Sequence, residues 1–121
     1  MAEKTFFGTA EILHNMTYEA ISVTVDKTTA GTVEENGRKM LKAGTLLAGD
    51  GASIFEDRSK KVKENTSTPD GVLLYDVDVT EKDAQASLVY RGTLRADKVN
   101  GGTVEEGVKT ALKHIQFVKG A

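Results

Sequence analysis

Cysteine and tryptophan are absent from this 121-residue chain, proline occurs once, and aromatic residues make up only 6% of it. Without thiols there are no disulfides, no thiolate metal sites and no cysteine nucleophile, and the redox compartment leaves no mark on the sequence. Few aromatics and no tryptophan argue against a stacking platform for carbohydrate or nucleic acid. Basic charge is not in excess either: the formal net charge is −2 with 28% charged residues, an ordinary mixed surface that cannot hold a phosphate backbone by counterion release. No window approaches the ~18 to 20 apolar residues of a membrane span, and the first residues, MAEKTFFGTAE, hold no apolar core of signal-peptide length. The expectation is a chain that is made and stays soluble, with neither nucleic acid nor membrane as partner.

What is present is strand-forming sequence, densest from Gly71 to Arg95. Val72, Leu73, Leu74, Tyr75, Val77 and Val79 are aliphatic, β-branched or aromatic, and from Tyr75 they alternate with Asp76, Asp78 and Thr80, the period of a half-buried strand. Glu81-Lys82-Asp83 breaks the pattern, after which Ala84, Ala86, Leu88 and Tyr90 alternate with Gln85, Ser87, Val89 and Arg91. The spacing predicts a hairpin of Val72 to Thr80 with Ala84 to Thr93. A helix is the rival, but the Val/Thr/Tyr enrichment, Gly92 and the missing 3.6-residue stripe weigh against it.

Around this hairpin the chain reads as a single domain, mainly β, from residue 17 to 121. Thr17 to Asp26 alternates and predicts a strand with Ile21, Val23 and Val25 inward. Asn36-Gly37 favours the positive φ values of a tight hairpin turn. Thr45 to Ala48 reads as a short apolar strand, and Ser53 to Asp70, with the basic cluster Arg58, Lys60, Lys61 and Lys63 among acids, as a long solvated loop. Thr103-Val104-Glu105-Glu106 fits a capping box, and Val104, Val108, Ala111, Leu112 and Ile115 form one helical face. A short C-terminal helix is therefore expected to begin within two residues of Thr103, with Gln116 to Val118 as a last strand. Gly31 to Glu35 recurs as Gly102 to Glu106, too short to be a repeat. Residues 1 to 16 show no sustained period. There Phe6 and Phe7 read two ways: an edge strand that tucks one ring into the core, or an arm that orders on meeting a partner.

Candidates for chemistry are few. Asp76 and Asp78, two residues apart, fall on one face of a strand and could hold a hard cation, but Ca²⁺ wants six to eight oxygens, and the nearby acids are only Glu81 and Asp83. A solvated or interface-facing acidic surface is the plainer reading. Two isolated histidines, His14 and His114, make a poor metal pair. No serine sits in a nucleophile-elbow or Ser-x-x-Lys context, and neither phosphate-loop pattern occurs around Gly49-Asp50-Gly51 or Gly101-Gly102. The expectation is a protein that is not an enzyme, with no catalytic residue, metal or cofactor.

The words Lys42-Ala43-Gly44-Thr45-Leu46-Leu47, Asp70-Gly71-Val72-Leu73-Leu74, Asp76-Val77-Asp78-Val79-Thr80 and Val89-Tyr90-Arg91-Gly92 stand in an order that resembles the head decoration proteins of tailed bacteriophages. This is the capsid-stabilising family typified by the lambda decoration protein. The resemblance covers roughly half the chain and leaves residues 1 to 40 outside it. It implies a small β-clip or barrel-like domain with a central hairpin and one short C-terminal helix. It also implies a homotrimer on the exterior of an expanded virion head, assembled in the host cytoplasm and bound to the major capsid protein. Its work would be to hold the head against the pressure of packaged DNA. The expected capsid-binding residues are Lys4, Thr5, Phe6 and Phe7. A small β-barrel module binding a ligand or another protein is the alternative, and a metal-dependent enzyme using Asp76 and Asp78 a third reading; the first predicts a deep apolar pocket and the second convergent titratable groups.

If the N-terminal arm docks on the head, a few aromatic anchors supply most of the affinity, each burying about 150 to 250 Å². Deleting Met1 to Gly8 is then expected to leave the thermal midpoint nearly unchanged and to weaken head binding strongly. A midpoint many degrees lower, or full decoration by the truncated protein, would remove the arm.

Overall fold

The computed structural model describes residues 12–119. Among them the strands are β1 (Leu13–Val25), β2 (Val33–Glu35), β3 (Arg38–Leu41), β4 (Leu46–Gly49), β5 (Val62–Glu64), β6 (Gly71–Leu73), β7 (Val77–Asp78), β8 (Ala84–Arg95) and β9 (Ile115–Val118). One helix, α1 (Glu106–Ala111), and two 3₁₀ turns, Ala96–Lys98 and Asn100–Gly102, fill the gap between β8 and β9. The domain is mainly β with one short helix, as the alternating sequence predicts.

β1, β5, β4, β6 and β8 pair in that order, and β8 pairs back onto β1, so the ladder returns to its start; β9 lies parallel to β8 outside this ring. Successive residues of a strand point to opposite faces, and here both faces are covered. Leu47, Leu73 and Leu88 meet Val23, Val25 and Val62 in one cluster, so each of the five ring strands contributes to it, with Leu41, Ile54 and Val79 added from outside the ring. Their neighbours Leu46, Val72 and Val89 belong to a second cluster with Leu94, Val108, Leu112 and Ile115, beneath α1 and the 3₁₀ turns. This two-sided burial explains why Leu46-Leu47 and Val72-Leu73-Leu74 are continuous apolar runs rather than alternations.

β2, β3 and β7 form a separate three-stranded sheet. Its hairpin turns at Asn36 and Gly37, with φ of 52° and 77°, the type I′ geometry that Asn-Gly favours. Gly44 has φ of 94°, and a Cβ there would overlap the Lys98 carbonyl. Its N–H donates to the Leu73 carbonyl at 2.8 Å and its carbonyl accepts from Asn100 N–H at 2.8 Å. The glycine of the Lys42–Leu47 word thus ties β6 to the 3₁₀ region.

Several expectations need correction. The central hairpin is real but short. Val72 pairs with Val89 and Leu73 with Leu88, and Leu74 N–H donates to Ser87 at 3.0 Å. Beyond Leu74 the halves separate, and Val77 and Asp78 pair with Leu41 and Met40 of β3. The acidic groups explain the departure. Asp76 accepts the Ala43 N–H at 2.7 Å and lies 3.1 Å from Lys42 Nζ, while Asp78 accepts from Arg38 Nε at 2.8 Å, so both are drawn toward the small sheet. The longest partner of β8 is instead β1, from Tyr18 opposite Gly92 to Val25 opposite Ala84.

β1 begins at Leu13, four residues before the predicted Thr17, and Ile12 and Leu13 are buried. The supposed loop from Ser53 to Asp70 contains β5, whose Val62 is fully buried. The predicted capping box does not form. Thr103 is extended and is held by the preceding turn, its N–H donating to the Asn100 carbonyl and its carbonyl accepting from the Asn100 side chain at 3.1 Å. The helix therefore starts at Glu106, with Glu105 in the N-cap position and no side-chain cap. The two Gly-Thr-Val-Glu-Glu copies adopt different structures, one a strand and the other a helix approach.

Val108 and Leu112 are buried as predicted, Leu112 at 4% exposure. Leu112→Ala is expected to lower stability by about 2 to 5 kcal/mol as a core truncation. An unfolding midpoint unchanged by that substitution would contradict the packing of α1 onto the sheet.

Candidate binding surface

A surface concavity forms where β1 loses register with β8. Leu13 faces Leu94 and Tyr18 faces Gly92, so five steps along β1 span two along β8, with a second shift between Glu19 and Ala20. Irregularities of this kind bend a strand and re-aim its side chains. On the other side of Gly92 lies Ile115 of β9, and Gly92 N–H donates to the His114 carbonyl at 3.2 Å. The resulting cleft, about 620 Å³, is lined by Tyr18, Glu19, Arg91, Gly92, Thr93, His114 and Gln116.

A second cleft of about 320 Å³ adjoins it, sharing Arg91 and His114 and continuing to Phe55, Tyr90, Leu112 and Lys113. The Phe55 and Tyr90 rings meet edge to face, with centroids 5.3 Å apart and planes at 72°, a favoured aromatic geometry. Phe55 is nevertheless 49% exposed. Glu19 accepts from the Tyr90 hydroxyl at 3.3 Å and lies 3.9 Å from Arg91 Nε. The surface thus combines an open aromatic pair with a loosely held ion pair, a composition suited to contact with another molecule's side chains.

Of the candidate site residues singled out in the sequence, only His114 meets these clefts among the described residues. Lys4, Thr5, Phe6 and Phe7 lie outside the described residues. His114 is exposed on the cleft rim. Asp76 and Asp78 do not converge on an ion site, since their oxygens are engaged by Ala43, Lys42, Arg38 and Thr80. Among the described residues no group of three or more His, Cys, Asp or Glu side chains is placed to hold a metal. The basic cluster is dispersed: Lys61 pairs with Asp83 at 2.7 Å, Lys63 reaches Asp50 at 3.6 Å, and Arg58 donates to the Ser22 carbonyl at 3.3 Å. The Phe55–Tyr90 pair escaped sequence reasoning because Phe55 sits in an aperiodic stretch, thirty-five residues from its partner; only its size among small and charged neighbours marked it.

No family model matches the chain, and no curated protein matches it.

Asp78 carries the largest electrostatic signature. Hydrogen bonds from the Thr80 hydroxyl, from Arg38 and from the Thr80 N–H hold its carboxyl down at about 2, against an ordinary 3.8. A carboxyl whose folded value is depressed stabilises the fold fully above its unfolded value and loses that contribution as pH falls through the folded one. Asp78→Asn is therefore expected to lower the thermal midpoint at neutral pH, and its gap from wild type should close as pH falls from about 4 to about 2. A gap that stays constant over that window would show that the Arg38–Asp78–Thr80 contacts do not link β3 to β7 in the way described.

Proposed function

We propose that this protein is a non-catalytic decoration protein of a tailed-phage head, binding the outer surface of the expanded capsid and stabilising it against internal pressure. The observation that carries this reading is how the four family-like words assemble. Lys42–Leu47 and Asp70–Leu74 supply β4, β6 and their flanks, and Val89–Gly92 lies in β8, so they are neighbours in the order β4-β6-β8. The Asp76–Thr80 word is bonded to the first of them through Asp76 and the Ala43 N–H. The Asp70 carboxylate accepts from Gly49 N–H, Ile54 N–H and the Ser53 hydroxyl at 2.8 to 2.9 Å. The four words thus form one mutually bonded scaffold around the centre of the large sheet, and this supports the reading.

The mechanism is mass action. A protein that binds only the expanded lattice stabilises it by its binding free energy, and it needs contact surface and rigidity rather than chemistry. Lys4, Thr5, Phe6 and Phe7 remain the proposed docking residues, with the major capsid protein as partner and a homotrimer as the bound form. Ile12 and Leu13 are buried in the core, so the chain preceding them is joined to the domain through a packed anchor that can transmit load. A second reading, a β module that binds a ligand or protein, is favoured by the paired clefts around Arg91 and His114.

Purified protein mixed with expanded, undecorated heads is expected to co-sediment saturably, and not to co-sediment with the same heads before expansion. Failure to bind expanded heads, or equal binding to both forms, would overturn the decoration reading and leave the binding module.

A further inference from the structure

Two Asn-Gly steps occur in the chain, Asn36-Gly37 and Asn100-Gly101, and both asparagines stand in the left-handed region, with φ of 52° and 50°. Asparagine before glycine carries its own chemistry. The glycine nitrogen can attack the side-chain carboxamide carbon, because no Cβ on the glycine obstructs the approach. The new N–Cγ bond closes a five-membered succinimide, the Cγ–Nδ2 bond breaks, and the amide proton leaves with the side-chain nitrogen as ammonia. Water then opens the ring: addition at Cγ gives aspartate, and addition at the main-chain carbonyl gives isoaspartate, whose backbone is longer by one methylene. Water is the only co-reactant.

Ring closure requires the main chain to rotate out of the left-handed conformation, so the rate at each site reads the cost of opening it locally. With the same conformation and the same following residue, the two sites differ in what holds them shut. Asn100 is tied on every side. Its N–H donates to the Gly44 carbonyl at 2.8 Å, its carbonyl accepts from Thr103 N–H at 3.2 Å, and its Nδ2 donates to the Thr103 carbonyl at 3.1 Å. Val99, the residue before it, has no solvent exposure and belongs to the core cluster. Freeing the Asn100 carboxamide therefore means breaking these bonds and disturbing the core.

Asn36 lacks such ties. It and Gly37 are exposed, and among the described residues its carboxamide has no hydrogen-bond partner. The strand leading into the turn, β2, is three residues long, exposed throughout, and paired with β3 alone among the described residues. Every residue from Val33 to Arg38 is exposed, so opening this turn uncovers no core. We propose that Asn36 is a site of spontaneous deamidation in the folded protein, while Asn100 is shielded. The product places a new negative charge beside Glu34 and Glu35. In isoaspartate the extra methylene no longer fits a two-residue turn, which loosens the pairing of Glu35 with Arg38, the residue that reaches Asp78. The modification thereby acts on the link between β3 and β7. This goes beyond the decoration reading and does not depend on it.

The full chain is incubated in mildly alkaline buffer, and peptide mapping by mass spectrometry follows the gain of about 1 Da at each asparagine. Asn36 is expected to convert about tenfold or more faster than Asn100 in the folded protein, and the two rates to converge to within about threefold in concentrated urea, where neither is held. Asn36→Gln, whose longer side chain cannot close the five-membered ring, should remove the main acidic species that anion exchange resolves from aged wild type. Any of four results would overturn the proposal: equal rates at the two sites in the folded protein; faster conversion of Asn100; an Asn36 that stays intact in the folded protein over the time in which it converts fully in urea; or a main acidic species that persists in Asn36→Gln.

Discussion

Leu88 and Val89 stand back to back on β8, both without solvent exposure and each in a different core cluster. The rest of the domain depends on that arrangement. β8 pairs with β1, β6 and β9, so one strand joins the interior of the ring to the layer beneath α1. Fully burying a Leu or Val side chain contributes roughly 1.5 to 3 kcal/mol, and a polar group at either position would be stranded without a partner on its face. With both faces of the central strands covered, the described residues offer contact to another molecule at rims and irregularities, such as the cleft at the β1 register shift.

Carboxylates hold the loops to this core. Asp70 collects three donors from the Gly49–Ile54 segment, Asp76 and Asp78 fasten the small sheet, and Asp83 receives the Lys27 N–H at 2.9 Å and Lys61 at 2.7 Å. Each bond is modest at an exposed position, but together they fix loops that carry few apolar groups. Acids that could have looked like chemical equipment are thus spent on architecture.

Much of this was legible in the sequence, and the limits have physical causes. Val23 and Val25, the Asn36-Gly37 turn and the β4 and β8 strands follow from local periodicity and turn chemistry, and the structure has them. β5 was hidden because a three-residue strand that follows Lys60-Lys61 and itself contains Lys63 and Glu64 shows no period, and its pairing with β1 and β4 is non-local. The hairpin was extended too far because Tyr75 to Thr80 alternates whichever sheet it joins; the choice was made by Lys42 and Arg38, which lie more than thirty residues away. The helix start was misplaced because the Asn100 side chain competes for Thr103, a local contact that the capping pattern does not reveal. The clefts depend on a register shift between strands distant in sequence, for which no residue pattern stands as a signal. The N-terminal residues proposed to dock lie outside the described part of the chain.

The functional account requires that binding itself strengthens the head. Linkage gives it a quantitative form: stabilisation grows with the logarithm of free protein once concentration exceeds the dissociation constant. The direct measurement is the rupture temperature of DNA-filled heads, followed by release of DNA, as purified protein is added over several decades of concentration. The account predicts a midpoint that is flat below saturation of the sites and then rises steadily with log concentration. Heads that bind the protein to saturation yet rupture at the temperature of bare heads would contradict it.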